Sequence, residues 1–208
     1  MLDLLLRHYR VLLTAYTCIV GARRPTKVGT PLRKYVEETQ RVNLDEEPCF
    51  FDEFDGKALQ QQMDLQMRIA AYANKAKHQS IPQVLWIFDD LVDDERIMHS
   101  NHNQIAMLAI RSRHCGGNLW VSTQKYRALA NIIRVNLTGL YCWPALSNRL
   151  ERKAILEEIS GRYTPEQIEE MLHYVSQRPF GFLSVDLKTT DVDRMYQDSL
   201  VQYLRPTE

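Results

Sequence analysis

The run Val84-Leu85-Trp86-Ile87-Phe88 constrains this chain more than any other part of it. It is continuously apolar rather than alternating, which marks a strand covered on both faces and therefore lying in a parallel sheet under helices. Leu119-Trp120-Val121 has the same character. Shorter strand candidates are 14–20, Leu140-Tyr141-Cys142-Trp143 and Gly181-Phe182-Leu183-Ser184-Val185. Between them, 58–77, 102–113, 128–135, 148–160 and 165–177 read as helices. Ser147 and Thr164 are the expected N-caps, the second followed by Pro165 and, three residues on, Gln167. Strand alternating with helix predicts an α/β fold with a mainly parallel sheet and helices on both faces.

A length of 208 residues predicts a single domain, 1–208. The least regular part is the connector 21–55, with Pro25, Gly29, Pro31, Pro48 and the acidic run Asp45-Glu46-Glu47, and one short helix over 31–40. With 45% hydrophobic and 25% charged residues, the chain is outside the disordered, collagenous and disulfide-rich classes. Cys18, Cys49, Cys115 and Cys142 form no C-x-x-C pair, which argues against a zinc ribbon, a thioredoxin motif or a secreted disulfide framework. Asp3, Arg7, His8 and Arg10 interrupt the apolar start, and no run reaches the ~18 apolar residues of a membrane span. A soluble, intracellular protein without a membrane span is expected.

Formal charge is zero, 26 basic against 26 acidic residues, but strongly segregated. Arg96, Arg111, Arg113, Lys125, Arg127, Arg134 and Arg149 occur without one acidic residue between 96 and 150, directly after Asp89, Asp90, Asp93, Asp94 and Glu95. Such a segment either binds phosphates or is a solvated surface balanced by acidic neighbours.

The first apolar strand ends in Asp89-Asp90. In open α/β sheets ligands sit at the carboxyl ends of the strands, so the fold itself delivers these acids to the functional edge. There one acid could hold Mg²⁺ and the next could orient or deprotonate water; alternatively, the pair starts a surface turn. The second apolar strand ends in Ser122-Thr123-Gln124, and a neutral amide can hydrogen-bond a phosphate and a water together. Taken alone, Gln124 reads rather as a polar residue before a helix. Arg134 follows a short helix, placed to reach an anion or a neighbouring subunit.

Other signals are weaker. His99, His102, His114 and Cys115 supply no paired half of a tetrahedral zinc set, and no G-x-S-x-G elbow anchors a serine hydrolase. Trp86, Trp120 and Trp143 read as core. Nuclease-like metal chemistry at Asp89, Asp90, Asp93 and Asp94 would need acids from further strands.

In order, Ile87-Phe88-Asp89-Asp90-Leu91-Val92-Asp93-Asp94, Arg111-Ser112-Arg113-His114, Trp120-Val121-Ser122-Thr123-Gln124-Lys125 and Ile132-Ile133-Arg134-Val135-Asn136 resemble the genome-packaging ATPases of large DNA viruses, the poxvirus-type branch of the FtsK–HerA superfamily. The resemblance covers roughly 31–187 and implies a three-layer P-loop NTPase fold of the RecA type. It implies ATP and Mg²⁺ as cofactors, with Asp89 on the metal, Asp90 activating water, and Thr123 and Gln124 at the nucleotide, Gln124 as sensor. Arg134 or Arg113 would act on the adjacent subunit's nucleotide. Arg111, Arg113, Lys125 and Arg127 would serve DNA or that same trans role. Partners implied are double-stranded DNA, a homo-oligomeric ring and capsid or portal components, in a viral factory or virion.

One departure is large. The family's phosphate loop, G-x-x-x-x-G-K-[ST], occurs nowhere in the sequence. Residues 2–10 resemble the helix that follows that loop and 11–20 the second strand, so the first strand and the loop are expected upstream of Met1. An active packaging motor is therefore weighed against a motor-associated, DNA-binding α/β domain without turnover.

Overall fold

The computed structural model describes residues 17–20, 33–39, 41, 43–46, 49–51, 54–77, 83–89, 104–145 and 148–206. They fall into two compact units, one within Met1–Gln124 plus Ala130–Ile133 and one comprising Lys125–Leu129 plus Arg134–Glu208. Each has its own four-stranded sheet.

The first unit holds β1 (Thr17–Val20), β2 (Phe50–Phe51), α1 (Gly56–Lys75), β3 (Val84–Asp89), α2 (Gln104–Arg111) and β4 (Gly117–Ser122). All its strand pairs are parallel, in the order β2-β1-β3-β4. The continuous apolar run behaves as its pattern predicts: Val84 to Phe88 are all buried, with Trp86 and Phe88 at 0% exposure. Helix α1 starts at Gly56, slightly ahead of the expected 58, because the Asp55 carboxylate accepts the Lys57 and Ala58 backbone N–H groups and caps it. Its stripe Leu59, Met63, Gln66, Ala70 and Ala73 is buried at helical spacing. Gln66 is tolerated there because its Nε2 donates to the Cys115 carbonyl at 2.7 Å, tying α1 to the 3₁₀ turn Ser112–Cys115 that precedes β4.

Several local expectations shift. The 21–55 connector contains a strand, β2, which pairs in parallel with β1. Two residues are too few to show a pattern. The short helix of 31–40 is a π-helical turn, Tyr35–Thr39. The helix expected over 102–113 is α2 followed by the 3₁₀ turn, and that over 128–135 is a 3₁₀ turn, Tyr126–Ala128, and a single turn, α3 (Asn131–Arg134). Residues 14–16, 102, 103 and 147 lie outside the described residues.

The second unit holds β5 (Gly139–Cys142), α4 (Arg149–Ile159), α5 (Pro165–Ser176), β6 (Leu183–Asp186), β7 (Tyr196–Asp198) and β8 (Gln202–Tyr203). Its strands are antiparallel in the order β5-β6-β7-β8, so the expected mainly parallel sheet holds for the first unit and not for this one. Connectivity explains the change. Two helices join β5 to β6, so the second returns the chain to the end it left. Only residues 187–195, with one 3₁₀ turn, join β6 to β7, too short for a parallel crossover. Helix α5 starts as its sequence predicts, with Thr164 and Gln167 forming a reciprocal capping box and Pro165 in the first turn. Helix α4 is capped by Asn148 rather than by the expected Ser147, the Asn148 side chain accepting from Leu150 and Glu151. The core is Ile155, Ile159, Ile168, Met171, Leu172, Val175, Leu183, Val185 and Tyr196, the last donating its hydroxyl proton to the Ile159 carbonyl.

Candidate functional site

Parallel strands place their chemistry by register. In the β3–β4 pair, Val84 faces Gly117 and Asp89 faces Ser122, so the two strands finish level. Asp89 and Ser122 are therefore neighbours across one strand spacing, ~4.8 Å, and Thr123 and Gln124 leave the sheet at the same edge. The register depends on close packing at the other end of the pair, where a Cβ on Gly117 would run into the buried Trp86 ring. Asp89 is half-buried, as are Ser122 and Thr123, while Gln124 is exposed. This is a set of oxygen and amide groups at the carboxyl edge of an open parallel sheet, the location where such sheets bind ligands. β1 ends beside it, since Val20 pairs with Phe88.

Two residues that sequence reasoning missed join this edge. Asp55 caps α1, and Gly56 lies against the Gln104 side chain at the start of α2, where an added Cβ would come within 3.2 Å of the amide. Both helices thus begin near one another at the strand-exit end. An acid immediately before an apolar-periodic helix is the signal that could have revealed Asp55.

The remaining expected residues separate. Asp90, the expected water-activating acid, lies outside the described residues, as do Asp93, Asp94, His99 and His102. Arg111 and Arg113 are exposed in the turn before β4, at the amino end of the strands. Asp89 and Ser122 are at the carboxyl end, six residues or ~20 Å along. Lys125 and Arg127 directly follow Gln124 in the chain and are also exposed. Among the described residues, the basic segment of 96–150 gives Arg111 and Arg113 to the first unit and Lys125, Arg127, Arg134 and Arg149 to the second.

Arg134 is held within the second unit. Its Nη1 lies 3.8 Å from Glu158 Oε2 and its guanidinium 5.8 Å from the Tyr126 ring centre. Burial, reinforced by Glu158, holds the Tyr126 hydroxyl well above its ordinary pKa. Glu151, itself buried, accepts the Arg127 backbone N–H at 2.9 Å. One face of α4 thus clamps the segment that follows Gln124.

No helix among the described residues is long and apolar enough to cross a membrane. No protein-family model and no curated protein matches the chain. Solved structures do. The DNA-packaging ATPase B204 of Sulfolobus turreted icosahedral virus is 16% identical, with a TM-score of 0.55, covering 99% of this chain and 92% of that one. The genome-packaging NTPase B204 of Sulfolobus turreted icosahedral virus 2, in complex with ATP-γS, is 15% identical, with a TM-score of 0.53 and coverage of 94% and 89%. Its complex with AMPPCP gives 14% identity, a TM-score of 0.54 and the same coverage. The structural neighbours are thus viral genome-packaging NTPases, the kind of protein that the ordered motifs of the sequence resemble, and this chain shares their fold.

Proposed function

We propose that the chain is the ATPase-type component of a viral genome-packaging motor, coupling ATP hydrolysis to movement of double-stranded DNA into capsids. The observation that carries this reading is the level finish of β3 and β4, which brings Asp89, Thr123 and Gln124 to one edge of a parallel sheet in a fold shared with packaging NTPases. The donors suit the implied metal, because a carboxylate paired across the strands with a hydroxyl is the hard-oxygen environment that Mg²⁺ selects. Asp89 would hold the ion, with Ser122 beside it and Thr123 at the nucleotide. The ion supplies charge neutralisation at the phosphate oxygens. Asp90 would take a proton from the attacking water, and the exposed Gln124 amide would hydrogen-bond the terminal phosphate and that water together.

The phosphate cradle, which this sequence does not contain, would come from another segment or subunit. In a homo-oligomeric ring, Arg113 or Arg134 would serve the adjacent subunit's nucleotide, Arg134 only by opening its pair with Glu158. Capsid or portal components are the further partners of such a ring, in a viral factory or virion.

The test is equilibrium binding of a fluorescent ATP analogue with Mg²⁺. Micromolar binding that disappears in Asp89→Ala is the expected result. Equal affinity in wild type and variant overturns the metal assignment. No binding by a chain whose circular dichroism shows it folded favours the DNA-binding alternative without turnover.

A further inference from the structure

Three long stretches of the sequence lack acidic residues altogether, 4–36, 65–88 and 96–150. The fold brings the described parts of the last two to the amino-terminal side of the parallel sheet. Helix α1 runs from the carboxyl edge of the sheet back past the turn before β4, which it meets at Gln66, and its last turn, nine residues or ~14 Å further on, carries Lys75, followed by Lys77. Helix α2 makes the same return to the start of β4, ending in Arg111 and the turn bearing Arg113 and His114. The starts of β3 and β4 are adjacent, with Val84 facing Gly117 and the Val84 N–H donating to the Gly116 carbonyl. All five side chains are on exposed residues.

Helix ends explain part of this charge, because cations favour the negative end of a helix dipole. Lys75 and Arg111 meet that need in the last turns of α1 and α2. Lys77, Arg113 and His114 exceed it. Among the described residues, no ion pair neutralises Lys75, Lys77, Arg111 or Arg113. The acids Asp45 and Glu46 precede β2, two strand spacings or ~10 Å across the sheet from β3 and three or ~14 Å from β4, beyond the ~8 Å Debye length of physiological salt. A row of such cations, from the turn before β4 along α1 to its end, is the electrostatic footprint of a polyanion with regularly spaced charges.

We propose that the amino-terminal side of the parallel sheet, where Arg111, Arg113 and His114 precede β4 and Lys75 and Lys77 end α1, is a docking surface for the phosphate backbone of duplex DNA. It deepens the packaging reading and rests on it for the choice of DNA. It also assigns the two polar edges of one sheet to different ligands, with the nucleotide at the carboxyl edge and the duplex at the amino edge. Lys125 and Arg127, which follow the carboxyl edge in the chain, are excluded from this surface. The protein grips phosphates there and reads no bases, as a motor that must pass any sequence requires.

Fluorescence anisotropy with a short labelled duplex tests the surface over a salt titration between about 50 and 200 mM. The variants are Lys75→Ala with Lys77→Ala, Arg111→Ala with Arg113→Ala, and, outside the surface, Lys125→Ala with Arg127→Ala. Each double variant of the docking surface is expected to weaken binding about tenfold or more at the lower salt. Each should also flatten the log–log salt slope by about 0.9 for every phosphate no longer neutralised. The Lys125/Arg127 variant should keep the wild-type slope. Failure of wild type to bind duplex, an unchanged slope in both docking-surface variants, or weakening confined to Lys125/Arg127 overturns the proposal. So does disappearance of binding to anionic lipid vesicles with duplex affinity intact. Binding of the ATP analogue, measured on the same proteins, responds only to Asp89→Ala, so failure of the nucleotide reading and failure of the DNA surface give different results.

Discussion

Asp198 is completely buried, and what makes its charge tolerable is local: Arg178 Nη1 lies 2.8 Å from Oδ2 and Ser199 Oγ donates to Oδ1 at 2.9 Å. Replacing Arg178 by Met leaves that carboxylate uncompensated, with an expected loss of about 3 kcal/mol in urea unfolding, damped because Arg178 itself is half-exposed. Buried weak acids add a pH signature. Burial pushes the Cys142 thiol from 9.0 to about 12, and burial, with Tyr163 adding to it, pushes the Tyr196 hydroxyl from 10.0 to about 12. Both are neutral in the native protein while the unfolded chain ionises first. Above the unfolded values the unfolded state holds fewer protons, so stability, fully present below pH 9, declines progressively as pH rises toward about 12. Denaturant midpoints measured across that window should fall monotonically, and a flat profile would contradict the burial of these groups. In native protein at mildly alkaline pH, Cys142 should resist thiol reagents that modify it after unfolding.

At the scale of elements, β3 and β4 work as a pair whose register depends on one missing side chain. Gly117→Ala puts a methyl group into the Trp86 ring, which has 0% exposure and little room to retreat. The expected loss is about 1–3 kcal/mol in chemical denaturation, with weakened ATP-analogue binding where the strand ends shift. Gly181 behaves alike at the entry to β6, where a Cβ would strike the Val175 carbonyl. The α5 capping box predicts a smaller effect: Thr164→Ala should lose about 1 kcal/mol, and Thr164→Ser should restore most of it. Helices α4 and α5 are joined further by Arg152, which donates from Nε to Glu169 at 2.8 Å and from Nη1 to the Pro144 carbonyl at 3.3 Å.

For the whole molecule, the groups assigned to the two ligands lie at opposite ends of the parallel strands, Asp89 at the exit of β3 and Arg111 and Arg113 before the entry of β4. Charges separated by ~20 Å are about two Debye lengths apart at physiological salt. Nucleotide and duplex binding should therefore be separable: Asp89→Ala keeps nucleotide-free duplex affinity, and Arg111→Ala with Arg113→Ala keeps ATP-analogue affinity. Paired titrations of both ligands on both variants check this. A simultaneous drop in both affinities would mean that the two edges are energetically coupled.

The sequence by itself determined the elements with a strong local cause. Five consecutive apolar residues bounded by polar ones make a strand covered on both faces, and Thr164-Pro165 with Gln167 begins a helix. The ordered strand ends Asp89 and Thr123-Gln124 were legible for the same reason, since the strand that delivers each is apolar enough to be seen. Only tertiary structure decided what depends on partners distant in the chain. β2 is a strand because β1 lies beside it, Asn148 rather than Ser147 caps α4 through side-chain geometry, and β5 to β8 are antiparallel because of how their connections return. The basic stretch of 96–150 looked like one surface because sequence proximity was its only measure. Folding sets Arg111 and Arg113 before β4 in the first unit, whereas Lys125 and Arg127 belong to the second. It also recruits Lys75 and Lys77 from an acid-free run more than thirty residues away, because α1 runs back past the turn before β4, which it meets at Gln66.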